Sequence, residues 1–440
     1  MPRSFSVPPG ARDPSVAVLV ELERNALEGG HLKCWERFAE AAAALEADGP
    51  RPDLTVYVLG PRQRVEPLSD NVRFVTLRPV AGTAPLDRWL GPVDTSDLAP
   101  HHPRLAALLP RHDVWHLTHS FAFATTAVRL ARRAGHTAPA AEVPGLVGSV
   151  HTDVPALTEA YVRRLAARWG VRPPAALSPE QAAAALLRHR RDRLLRACDR
   201  VLVSTPGERA EIGALLGPGR VSLLGRGIDH RRFRPDPAAR AEVERAYGVP
   251  AGVTAVLFAG RADASKRVLV LAEAVRLLRA AGRPVHLVVA GTGPDTGRIA
   301  SLLGDGVTLL GTLPQERLAR VYAGCDLLAF PSRSETAGNV VAEAMACGLP
   351  VVLPAGARTA RWLAAPGADG LLVRDDDAAG WASAVGRLAA EPDTRAEMAL
   401  RAARTARLHH RSWERVLRED VLPHWYAVTP ERRRATRSAA

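Results

Sequence analysis

The run Phe330-Pro-Ser-Arg-Ser-Glu-Thr-Ala-Gly-Asn-Val-Val-Ala-Glu-Ala-Met-Ala-Cys-Gly-Leu-Pro350 reads as the end of a buried strand, a Ser/Thr/Gly loop and a helix. The helix spans about Gly338 to Cys347 and is stopped by Gly348 and Pro350. Outward from it the same alternation repeats: short apolar, β-branched runs separated by longer helical patterns, the signature of parallel sheets covered by helices. In the first half, strands are expected at Ser15–Leu22, Asp53–Leu59, Val72–Leu77, Val114–His119, Leu146–His151, Arg200–Ser204 and Val221–Leu224. In the second half they are expected at Ala255–Ala259, His286–Ala290, Val307–Leu310, Asp326–Pro331, Pro350–Leu353 and Gly370–Val373.

Between the two sets lies a strand-free stretch, Phe233-Arg-Pro-Asp-Pro237, leading into a polar helix that ends at Tyr247-Gly-Val-Pro250. The reading is therefore α/β: two Rossmann-like doubly wound domains facing across a cleft, over residues 1–235 and 250–407. Residues 408–440 are expected to form a C-terminal helix crossing back, with a basic tail.

At 440 residues the chain is too long for a single small module. Hydrophobic residues at 47% beside charged residues at 24% exclude disorder over most of it. No stretch has the roughly 18 uninterrupted apolar residues of a membrane span, and Met1–Asp13 lacks the apolar core of a signal peptide, so a cytoplasmic protein is expected. Cys34, Cys198, Cys325 and Cys347 have no metal-like spacing and are expected as buried thiols. The net charge is +13, yet of 59 basic residues only Lys33 and Lys266 are lysines. In a chain that writes arginine by default, a surviving lysine marks a place where a compact, flexible ammonium is preferred over a planar guanidinium.

The polar residues suited to chemistry fall at, or just beyond, the carboxyl ends of expected strands, where open α/β sheets bind ligands. They are Gly29-Gly30, His151, Arg261, Gly291 and Gly293, and Ser334-Glu335. The helix after Gly338 has no acid in its first turn, so its free N–H groups suit a phosphate or sugar oxygen. Glu335 before it and Glu343 inside it can each accept hydrogen bonds from two neighbouring hydroxyls; a capping acid and a solvated helix residue are the plain alternatives. In Ala259-Gly-Arg-Ala-Asp-Ala-Ser-Lys266, Arg261 and Lys266 around Gly260 can neutralise a diphosphate as a leaving group without metal, the alternative being an interdomain ion pair. Val289-Ala-Gly-Thr-Gly-Pro-Asp-Thr-Gly297 departs from G-x-G-x-x-G and lacks the acid that would hold a nicotinamide cofactor's ribose. Arg374-Asp-Asp-Asp377 has D-x-D spacing, but Asp377 is placed to cap the following helix.

Taken together, Glu335-x7-Glu343 with Ala-Gly-Asn inside it, Gly260-Arg261 with Lys266, and Gly225-Arg-Gly-Ile-Asp229 followed by Phe233-Arg-Pro235 resemble the donor motif of retaining GT-B glycosyltransferases of family 4. The likeness spans roughly Arg200 to Val373. It implies retaining, metal-independent transfer of a hexose from a nucleotide-diphosphate sugar, a co-substrate, to a hydroxyl acceptor, with no cofactor and no metal. By that resemblance Glu343 would hold the ribose hydroxyls, Glu335 the donor sugar, and Arg261 and Lys266 the diphosphate. The backbone at Ala337, Gly338 and Asn339 would contact sugar or phosphate. Gly260, Gly291 and Gly293 would line the donor, Leu313 the base, and Gly30 would approach the diphosphate. His151 resembles the family's sugar-contacting histidine, and the departing phosphate oxygen would take the acceptor's proton. Two departures stand out: Arg267 occupies the place where a glycine usually follows the lysine, and Gly-Gly-His-Leu-Lys33 is unusual.

From Tyr161 to Arg200 ten arginines face three acids, and Arg404, Arg407, Arg411, Arg415 and Arg418 recur at helical spacing. One continuous basic face on an anionic membrane surface is the expectation, with a lipid-linked or glycan acceptor at the inner membrane face; a solvated arginine face is the alternative. Nucleic acid is not expected as a partner, because aromatics are 5% and do not interleave with the basic stretches. The competing readings are a sugar-nucleotide epimerase or hydrolase of the same plan and a non-catalytic nucleotide-sugar-binding subunit.

Overall fold

The computed structural model describes residues 12–23, 30–46, 49–82, 97–137, 143–151, 179–335, 337–375 and 377–431. Gly29 and the arginines between Tyr161 and Arg172 lie outside the described residues. The chain forms two compact units: residues 1–225 with 413–440, and residues 226–412.

The first unit is built on an eight-stranded sheet: β1 (Ser15–Glu23), β2 (Asp53–Leu59), β3 (Arg64–Pro67), β4 (Val72–Leu77), β5 (Val114–Leu117), β6 (Gly145–Val150), β7 (Arg200–Val203) and β8 (Val221–Leu223). Their order is β3-β4-β2-β1-β5-β6-β7-β8. Every pairing is parallel except β3 with β4. β3 is absent from the expected strands because it is a mostly exposed polar edge, Arg-Val-Glu-Pro, with no apolar run to announce it. The strand order reverses between β1 and β5, so a crevice opens at the carboxyl ends of those two strands. The returning C-terminal segment belongs to this unit: Trp425 is fully buried, and its indole N–H donates to His116 Nδ1 at 3.0 Å.

The second unit carries six parallel strands, β9 (Thr254–Ala259), β10 (Val285–Ala290), β11 (Val307–Gly311), β12 (Leu327–Ala329), β13 (Val351–Pro354) and β14 (Gly370–Val373). They run in the order β11-β10-β9-β12-β13-β14. Here the order reverses between β9 and β12. The strands are near-continuous apolar runs because helices cover both faces; Val256, Leu257 and Phe258 are fully buried. The polar stretch expected to separate the domains lies inside this unit, since Phe233 and Val243 are buried in its core.

The five C-terminal arginines do not form one helical face. Arg404 and Arg407 lie on the helix Pro392–His409, which ends because Ile228 N–H bonds to the Arg411 carbonyl at 3.0 Å and Ile228 bridges Ser412, drawing that segment out straight. A new helix starts at Trp413, where Arg415 pairs with Glu419 at 2.7 Å and Arg418 with Glu414 at 3.0 Å. The expected basic face is thus broken, and two of its members are neutralised by acids four residues away. Among the described residues no helix is long and apolar enough to cross a membrane.

Candidate functional site

In the second unit the loops after β9 and β12 meet at the strand-order reversal. Lys266 Nζ bonds to Glu335 Oε1, with the two side chains 22% and 18% exposed. Ser332 Oγ donates to the same Glu335 oxygen at 3.2 Å, and Ser334 Oγ donates to the Ser265 carbonyl at 3.3 Å. The structure therefore brings Lys266 to Glu335. Arg261, the other expected cation, is an exposed side chain paired with Asp263 at 2.6 Å.

Asp263, to which sequence reasoning gave no role, organises this loop. Its Oδ1 accepts from Ser265 N–H at 2.9 Å, from Ser265 Oγ at 2.5 Å and from Lys266 N–H at 3.1 Å. Burial alone would raise its carboxyl, but the Ser265 bond and Arg261 outweigh it and hold the group below the usual aspartate range. The D-x-S spacing is the sequence signal for such a turn.

The glycines make room for backbone. Gly291 has φ 143°, and a Cβ there would collide with the Gly260 carbonyl, while one on Gly293 would strike that of Ala262. Gly260 N–H bonds to Ala290 O and Ala262 N–H to Thr292 O, each at 2.9 Å, so the loops after β9 and β10 lie backbone against backbone. Leu313 packs partly buried against the core.

At the start of the helix Asn339–Ala346, Gly338 takes a left-handed φ of 65° with Thr359 directly against it. The Ala337 carbonyl accepts from Trp362 Nε1 at 2.8 Å. Asn339 Oδ1 and Thr359 Oγ1 are buried without a hydrogen-bond partner among the described residues, the condition of groups that await a ligand or water. Glu343 lies partly buried, with the Tyr322 hydroxyl 3.5 Å from its Oε2. Asp377 caps its helix through a bond from Gly380 N–H at 2.8 Å, as its position after β14 led us to expect.

In the first unit Gly30 is exposed at the first turn of the helix Gly30–Ala43, and His151 is buried just after β6. His151 is the end of a stack: His31 lies 4.3 Å from it and 4.2 Å from His119, ring centre to ring centre, with interplanar angles of 22° and 25°. Sequence reasoning singles out His151 alone; His31 comes from the first turn of the helix Gly30–Ala43 and His119 from just after β5. Beside them Glu21, fully buried at the end of β1, accepts N–H bonds from Phe121 at 2.9 Å and from Phe123, tying β1 to the helix after β5. Burial pushes its carboxyl up to about 8, the N–H groups of Phe123, Phe121 and Ala124 and the charge of Arg190 pulling the other way.

Residues 254–391 match the family model described as glycosyl transferases group 1. The matched stretch lies within the second unit. A D-inositol 3-phosphate glycosyltransferase of Nocardia farcinica is 36% identical over 225 residues, 48% of this chain and 49% of that protein. The chain spans about half the length of the curated relatives it matches. Sucrose-phosphate synthase of Thermosynechococcus elongatus shares the fold with TM-score 0.64 and 20% identity, over 98% of this chain and 100% of that one. HepE of Anabaena, in complex with UDP-glucose, aligns with TM-score 0.61 and 15% identity over 97% and 100%. The architecture is that of the GT-B fold.

Two predictions follow from local geometry. Arg267, which precedes the helix Val268–Ala280, is the one non-glycine residue with positive φ among the described residues (φ 57°, ψ 28°). Arg267→Gly should raise stability by about 1 kcal/mol, seen as a higher Tm; a lower Tm would show that the arginine side chain outweighs its backbone strain. For Glu21 the folded-state value lies above the ordinary 4.5, so folding takes up a proton between that value and about pH 8. The associated stabilisation is complete below that window and is lost as pH rises through it. Glu21→Gln should flatten the fall in urea midpoint between pH 5 and 8, and an unchanged slope would contradict the assignment.

Proposed function

We propose that the protein is a glycosyltransferase that moves a hexose from a nucleotide-diphosphate sugar to a hydroxyl acceptor, with retention at the anomeric carbon and without metal. The observation that carries this reading is the Lys266–Glu335 pair at the strand-order reversal of the domain that matches group 1 glycosyltransferases. The curated relatives bear glycosyltransferase names, and HepE, a fold neighbour, was crystallised with UDP-glucose.

In this reading the donor's diphosphate takes the charge of Lys266 and Arg261. Lys266 exchanges part of its bond to Glu335 for a phosphate oxygen, which frees a Glu335 oxygen for the sugar hydroxyls. A cation held beside a carboxylate stays in place before the donor arrives, so little reorganisation remains for the reaction itself. Arg261, tethered by Asp263 on an exposed side chain, supplies the second charge on the departing phosphate. The buried, unpaired Asn339 Oδ1 accepts from a donor hydroxyl, and Glu343 binds the ribose. The departing phosphate oxygen, neutralised by the two cations, takes the acceptor hydroxyl's proton as the new glycosidic bond forms.

The test is a transfer assay with radiolabelled UDP-glucose and GDP-mannose beside binding measurements on two variants. Glu343→Ala should weaken free nucleotide and nucleotide-sugar alike by about tenfold, the effect of losing a hydrogen bond to a charged group. Glu335→Ala should leave free nucleotide binding nearly intact and lose discrimination between sugars. Equal losses for both ligands in both variants would overturn these roles.

A further inference from the structure

The Ala337 carbonyl stands between Glu335 and the helix Asn339–Ala346, and the group that holds it comes from 25 residues downstream. Trp362 Nε1–H donates to it at 2.8 Å, and the Arg361 guanidinium lies 3.5 Å from the same oxygen. Trp362 is buried at the end of a short 3-10 turn, Arg358–Trp362, that follows β13.

That turn is itself held from behind. His410, buried, donates through Nε2–H to the Trp362 carbonyl at 2.9 Å, and the two rings meet edge to face with centres 4.8 Å apart. A carbonyl only accepts, so this nitrogen carries the proton. His230 bonds in turn to the His410 carbonyl at 2.8 Å. Just past Trp362, buried Asp369 Oδ2 accepts from Ala364 N–H at 2.8 Å, from Ala365 N–H at 3.1 Å and from the Thr405 hydroxyl at 2.9 Å. The indole N–H therefore has a fixed place.

What the indole controls is a direction. In a trans peptide the C=O and the N–H of the next residue point opposite ways, so a carbonyl held toward Trp362 turns the Gly338 N–H away from it. Gly338 enters the helix with φ 65° and ψ 46°, and Thr359 of the same 3-10 turn lies directly against it. Glycine admits other orientations of that peptide as readily, so the backbone alone does not fix the one observed. The N–H groups that open the helix have no partner within it, and their aim follows the aim of this peptide.

We propose that Trp362 is a positioning residue: its indole N–H fixes the Ala337–Gly338 peptide so that the N–H groups at the helix start face a nucleotide sugar, and His410 holds Trp362 to that task. The part played in transfer rests on the transferase reading above; the ordering of the loop does not. Sequence reasoning gave neither residue a role.

Trp362→Phe, which removes the N–H and keeps most of the ring's bulk, tests this in the full chain. Hydrogen exchange followed by mass spectrometry should speed roughly tenfold over residues 335–341, the effect of leaving a carbonyl without its donor. Trp381→Phe, in the core on the helix Ala378–Ala390, should lower Tm without changing that segment. In calorimetric titrations with UDP-glucose and GDP-mannose, Trp362→Phe should weaken whichever the wild type binds by about tenfold, and Trp381→Phe should leave it at the wild-type level. His410→Gln, which keeps an N–H donor, should match the wild type, whereas His410→Leu should follow Trp362→Phe. Unchanged exchange over 335–341 in Trp362→Phe overturns the proposal, as does faster exchange with undiminished binding, or equal weakening in Trp381→Phe. A wild type that binds neither nucleotide sugar, while Trp362→Phe still speeds the exchange, keeps Trp362 as the clamp of this loop and removes the transferase reading.

Discussion

The bond between Lys266 and Glu335 fixes the geometry on which the rest of the second unit's candidate site depends. It joins the loop after β9 to the loop after β12, the two loops that a reversal of strand order leaves with a crevice between them. Both side chains are about four-fifths shielded from water. Removing either charge is costly, because the partner left behind, about four-fifths shielded, loses its ion pair. In the proposed function the pair exchanges partners, a phosphate replacing the carboxylate on Lys266 and sugar hydroxyls the ammonium on Glu335. Around it, Asp263 and the glycines of the β9 and β10 loops hold the backbone so that lysine and glutamate meet without adjustment.

The two units solve the same topological problem with opposite chemistry. At the β9/β12 reversal the crevice is lined by the charged pair Lys266–Glu335. At the β1/β5 reversal the described buried groups are stacked imidazoles, short hydroxyls and Glu21, whose carboxyl group, pushed up to about 8 by burial, accepts from backbone N–H groups.

Much of this was legible in the sequence, and the reasons are local. Buried parallel strands such as Thr254–Ala259 and Gly370–Val373 announce themselves as apolar runs flanked by glycine or polar residues. The scarcity of lysine drew attention to Lys266, and the Glu-x7-Glu spacing to Glu335 and Glu343. What stayed hidden depends on contacts distant in sequence. Trp362 and Thr359 meet Ala337 and Gly338 across more than twenty residues, and His31 and His119 join His151 only because three strand ends converge. β3 has no apolar pattern to read. The arginine spacing from Arg404 to Arg418 suggested one helix, but Ile228, nearly two hundred residues upstream, straightens the segment that would have continued it. Arg267 stands as the local exception, a left-handed arginine where the chain would run more easily through glycine.

The central claim is that Lys266 and its loop hold a nucleoside diphosphate. It is tested most directly by metal-free thermal unfolding against UDP, GDP, ADP and dTDP, on the wild type and on Lys266→Ala. One base should stabilise the wild type by roughly 2.7 kcal/mol at a hundred times its dissociation constant, and the variant should lose most of that gain. Stabilisation by none of the four, or an equal shift in the variant, would contradict the account.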